Sequence, residues 1–76
     1  MVADVEIEVD ARGLLCPLPV LRLARALRGQ PKGTAARLLS TDPVSVQDVE
    51  VFCRDLGHTL LDSRREADLF TFRIRT

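Results

Sequence analysis

The first periodic stretch alternates strictly. Val5, Ile7 and Val9 are apolar while Glu6, Glu8 and Asp10 are acidic, the period-2 pattern of a strand with one buried face. Ala11-Arg12-Gly13 breaks that pattern, and the apolar period then becomes helical. From Pro17 to Arg28 the residues Val20, Leu23, Ala24 and Leu27 fall on one face, with Gly29 as the cap. Gln30-Pro31-Lys32-Gly33 reads as a turn, and Thr34 to Ser40 as a second strand with Ala36 and Leu38 on one side. Strand, helix and strand make a βαβ unit, so the two strands should be parallel with a right-handed crossover. Thr41-Asp42-Pro43 interrupts again. Ser45 and Asp48 resemble a capping box before a helix with the apolar face Val46, Val49, Phe52, Cys53 and Leu56, ended by Gly57. Thr59 to Arg65 and Leu69 to Arg75 then read as a hairpin joined by Glu66-Ala67-Asp68. Phe70, Phe72 and Ile74 should face inward, and Thr71, Arg73 and Arg75 should face solvent.

The order β-α-β-α-β-β predicts an α/β (α+β) two-layer sandwich, with two helices packed on one face of a four-stranded mixed sheet. Element order alone leaves the strand order open. With 76 residues, 46% of them hydrophobic, residues 1–76 are expected to form one domain with a modest core.

Charge and cysteine usage narrow the function. Eleven acidic and eleven basic residues balance, and the only aromatics are three Phe, which argues against direct nucleic-acid binding. No stretch approaches the roughly 18 apolar residues of a membrane span, and the N-terminus has no secretory pattern, so a cytoplasmic protein is expected. Two cysteines and one histidine are too few for a disulfide framework or a structural zinc site, and no cofactor is implied. The excess of Arg over Lys fits codon bias better than anion recognition.

The candidate chemistry lies in Asp10-Ala11-Arg12-Gly13-Leu14-Leu15-Cys16-Pro17-Leu18-Pro19, at the strand-to-helix junction. A residue before proline is pushed out of the α region, and proline suits a first helical turn, so Cys16 reads as the N-cap. Pro19 has no N–H, which leaves the Leu18 amide as the expected partner of the sulfur, in the positive field of a helix N-terminus. That environment favours thiolate, and Arg12 is placed to add to it. Leu14 and Leu15 either tuck under the helix or form an exposed contact beside the thiol. Arg22, Arg25 and Arg28 form a stripe opposite the apolar face, near Leu18 and Leu21. It is either a solvated face or a contact surface for a partner reaching Cys16. Cys53 reads as a buried structural thiol, with a resolving role as the alternative, and His58 as a structural residue after the helix end.

Asp10-x-x-Gly13-Leu14-x-Cys16-Pro17-x-Pro19, then Asp42-Pro43, Asp48, Phe52-Cys53 and Gly57-His58, resemble the TusA/SirA family of small sulfur carriers across essentially the whole chain. The resemblance implies that Cys16 takes up sulfane sulfur as a persulfide and passes it on. The implied donor is a cysteine desulfurase or rhodanese-like protein. The implied acceptor is a relay protein serving transfer-RNA thiolation, cofactor biosynthesis or sulfur oxidation. Pro17 and Pro19 match as structural supports of the motif; Asp10 and Gly13 match without an assigned chemical role. A carrier of this kind is expected to be monomeric between transient complexes.

The residues agree with that chemistry, since sulfur exchange needs an accessible thiolate. No histidine base lies beside Cys16 in sequence, which argues against a self-contained hydrolase, and no Cys-x-x-Cys supports a dithiol cycle. Two alternatives remain open. One is a non-enzymatic interaction module using Arg22, Arg25 and Arg28 with Leu14, Leu15 and Leu18; the other is a thiol redox sensor.

Overall fold

The computed structural model describes residues 6–76. Val5, expected as the first inward residue of the opening strand, lies outside the described residues. Six elements follow one another: β1 (Glu6–Ala11), α1 (Leu18–Leu27), β2 (Ala35–Ser40), α2 (Ser45–Leu56), β3 (Thr59–Glu66) and β4 (Leu69–Arg75). The four strands form one sheet in the order β1-β2-β4-β3. β1 and β2 are parallel, and the other two pairings are antiparallel. Both helices pack on one face of this mixed sheet.

The inward positions of the strands are those that the alternation predicts. Val9, Ala36, Leu38, Phe70, Phe72 and Ile74 join Leu23, Leu27, Val49 and Cys53 in one buried cluster. The other face of the sheet carries charge. Glu8 pairs with Arg37 across the parallel strands, and Arg73 Nε lies 2.9 Å from Glu6 Oε2. A bulge between Leu60 and Asp62 shifts the β3 register and leaves Leu61 exposed.

Three local expectations change. The buried face of α1 is Pro19, Leu23 and Leu27, with Val20 and Ala24 only half-buried. A proline near the helix start can turn inward because it needs no amide partner there. Leu56, expected on the apolar face of α2, is 57% exposed on the last turn. The capping box is not formed either. Val44 is the N-cap, and the Ser45 hydroxyl donates to the Asp42 carbonyl at 2.5 Å, which leaves the Asp48 side chain free for another role.

At its C-terminus α2 closes as the glycine predicts. Gly57 adopts φ 72°, Gly57 N–H donates to Arg54 O, and His58 N–H donates to Cys53 O at 2.8 Å. These two bonds satisfy carbonyls that the helix would otherwise leave open. The His58 ring packs on Phe52, with centroids 5.5 Å apart, in line with its structural reading.

Candidate functional site

Because β1 and β2 are parallel, their C-terminal ends lie side by side, with Ala11 opposite Ser40. The loops that leave them therefore meet above the same end of the sheet, and hydrogen bonds tie them together. Gly13, at φ 80°, donates its N–H to Thr41 Oγ1 at 2.9 Å. Cys16 donates its backbone N–H to Asp42 Oδ2 at 2.6 Å. Asp42 is only 7% exposed, and its other oxygen accepts the Val44 N–H at 3.1 Å. A single carboxylate thus fixes the thiol loop and the start of α2 together.

The helix start differs from the sequence expectation. Pro17, not Cys16, is the N-cap of α1, and the Cys16–Pro17 peptide bond is cis. The Leu18 N–H donates to Leu15 O at 2.9 Å, so it is not the partner of the Cys16 sulfur. The reason is local: a turn over residues 15–18 closes on this amide before the helix begins. The thiol itself is exposed, on the surface of the loop.

Its electrostatics also reverse the expectation. The Cys16 thiol is held above its ordinary pKa, first by Asp48 as a hydrogen-bond acceptor for its proton, then by partial desolvation and by the charges of Asp48 and Asp42. Negative neighbours oppose a second negative charge. Arg12 does not offset them, because its guanidinium grips Asp10 with Nε and Nη2 at 2.9 and 2.8 Å. That pairing lowers Asp10 to about 2.

Asp48 and Asp42, quoted in the motif match, are the site residues to which sequence reasoning gave no role at the thiol. Asp48 stood three positions after a serine and so resembled a cap. Asp42 preceded a proline and so resembled loop punctuation. Their separation from Cys16 along the chain hid the contact, although the strand pairing needed to find it was legible.

The remaining candidates divide by place. Leu14 is half-buried against the core, whereas Leu15 is 71% exposed beside the thiol. Leu14, Leu18, Leu21, Arg22 and Arg25 line a groove between β1 and α1, and Arg22 also donates to Asp10 O at 3.3 Å. Arg28, not the expected Gly29, is the C-cap of α1 and is exposed there; Gly29 follows it with φ 78°. A second groove, between α1 and α2, contains Cys16. Cys53 is 3% exposed in the core, and burial raises its pKa. Among the described residues no group of three His, Cys, Asp or Glu side chains could hold a metal ion, and no helix is long and apolar enough to cross a membrane.

Fold and site together define a small α/β sandwich that displays one thiol at a strand-to-helix junction. Comparison with known proteins gives that class a family. The family described as Sulfurtransferase TusA matches residues 7–76, and the chain belongs to it. A protein named sulfur carrier protein TusA from Allochromatium vinosum is 40% identical over 73 residues, which cover 96% of each chain. One of the same name from Pseudomonas aeruginosa is 36% identical over 75 residues, covering 99% of this chain and 95% of its own. The fold matches the crystal structure of a SirA-like protein from Desulfitobacterium hafniense with a TM-score of 0.81. That match has 24% identity and covers 92% of this chain and 96% of the other.

Proposed function

We propose that this protein is a sulfur carrier whose Cys16 holds sulfane sulfur as a persulfide between a donor and an acceptor protein. The observation that carries the reading is the placement of Cys16. It is the exposed thiol of the chain, held on a loop braced by Asp42, while Cys53 is sealed in the core. Family membership and the names of the relatives support it.

Loading begins when the Cys16 thiolate attacks the terminal sulfur of a donor persulfide. The Sγ–S bond forms as the donor S–S bond breaks, the donor thiolate leaves with the electron pair, and the Cys16 proton passes to solvent. Unloading is the same exchange with Cys16 as the leaving thiolate. No external oxidant is needed, since the sulfane sulfur only changes carrier. The donor is a cysteine desulfurase or rhodanese-like protein and the acceptor a relay protein. The carrier works as a cytoplasmic monomer, where thiols stay reduced. The groove with Leu14, Leu18, Arg22 and Arg25 is a contact face for one of these partners, next to the loop stiffened by Asp10, Arg12, Gly13 and the prolines Pro17 and Pro19.

Intact mass after incubation with a cysteine desulfurase and cysteine tests the reading. Wild type and Cys53→Ser should each gain about 32 Da, one sulfur on the nucleophilic thiol, and Cys16→Ser should gain nothing. Sulfur retained by Cys16→Ser would move the role to another residue. A wild type left unloaded by desulfurase and rhodanese donors alike would remove the carrier reading.

A further inference from the structure

The groove between α1 and α2 joins features that seldom share a surface. Leu21, Val51 and Leu56 are 56%, 36% and 57% exposed along it, and Cys16 sits in its wall. Asp48 and Asp55 also line it, and no lysine or arginine does among the described residues. Among the described residues Asp48 forms no ion pair, while Asp55 has only a long, exposed contact of 3.6 Å with Arg54. The groove beyond Leu21, between β1 and α1, has a mixed rim instead, with Arg22 and Arg25 facing Glu8 and Asp10. Exposed leucines beside carboxylates with no close cationic partner in the groove complement one kind of surface, a segment that is apolar and basic.

We infer that the α1–α2 groove seats a basic, partly apolar segment of the sulfur donor protein, whose Lys or Arg pairs with Asp48 beside Cys16. The inference rests on the carrier reading and names the chemistry of one partner. The donor is singled out because loading is the step that requires Cys16 to lose its proton. In the free protein the groups facing the thiol are the carboxylates of Asp48 on α2 and Asp42 in the β2–α2 loop, with Asp55 farther along the groove. A cation seated on Asp48 removes the acceptor of the thiol proton and cancels the nearest negative charge. Docking and activation of the thiol then become one event, and the undocked carrier reacts more slowly.

The test compares two sulfur sources: a cysteine desulfurase with cysteine, which must dock, and glutathione persulfide, which need not. Asp48→Lys and Asp55→Lys are each loaded from both, with Glu50→Lys, on α2 but outside the groove, as the charge control. Both groove variants should load from the desulfurase at least tenfold more slowly than wild type and Glu50→Lys. Neither should load more slowly from glutathione persulfide, and Asp48→Lys should load faster. The Asp55 side chain is 63% exposed, so its variant tests docking without disturbing the fold. Any other pattern in the variants overturns the docking inference and leaves the carrier reading standing, as does a wild type that the desulfurase leaves unloaded while glutathione persulfide and a rhodanese donor load it. A wild type loaded by neither the desulfurase nor a rhodanese donor removes the carrier reading itself.

Discussion

Asp42 is the residue on which most of the local geometry depends. Its carboxylate satisfies the Cys16 and Val44 amides from a buried position, so Asp42→Ala leaves two donors without their partner. A loss of about 1–3 kcal/mol is expected in urea denaturation, together with faster amide exchange at Cys16. Asp48 acts on the sulfur instead. With Asp48→Asn the main cause of the raised thiol pKa is gone, so the pH midpoint of Cys16 alkylation should fall and the rate at pH 7 should rise. Asp10 has the opposite sign. Its pKa is lowered from 3.8 to about 2, so the Arg12 contact favours the fold above pH 3.8, and this contribution disappears as pH falls through 2. In Arg12→Ala the Asp10 carboxyl should titrate near 3.8 by NMR. At this scale the sequence told least. Cys16 stood out by its motif, but the groups that set its acidity come from a loop and a helix on the far side of β2. A one-residue difference in the helix start also removed the amide expected at the sulfur.

Elements were more legible, because burial follows the periods of 2 and 3.6 that side chains impose. All four strands and both helices lie where the patterns put them, to within a residue or two. The departures sit at ends, where one hydrogen bond decides the boundary: Leu18 N–H closing on Leu15 at α1, and Ser45 turning back to Asp42 at α2. The hairpin shows the same sensitivity. β3 runs on to Glu66, paired with Leu69, so the turn is only Ala67-Asp68, and Ala67 takes φ 53°. A left-handed alanine is costly, and Ala67→Gly should raise stability by about 1 kcal/mol in thermal or urea melts. Gly57→Ala should lower it by about as much, since Gly57 holds a similar conformation to close α2.

For the whole molecule, the strand order is the part that element order left open, yet its physical reason is visible in composition. β4 carries Phe70, Phe72 and Ile74, which need cover from neighbours, so it lies inside the sheet between β2 and β3. β3 carries Asp62-Ser63-Arg64-Arg65-Glu66, a charged run suited to an edge that must not pair with other chains. The fold also exposes one of its two thiols and buries the other. A thiol-reactive dye should label one cysteine in the native protein and two in denaturant, with Cys16→Ser labelling only after unfolding. The tie from Cys16 to Asp42 bears on engineering as well. Copying residues 10–19 into another strand-to-helix junction would transplant the thiol without its brace, because that brace belongs to the next strand. A portable version needs two adjacent parallel strands and both of their exit loops, so the smallest transferable unit is the βαβ half of the chain with the start of α2.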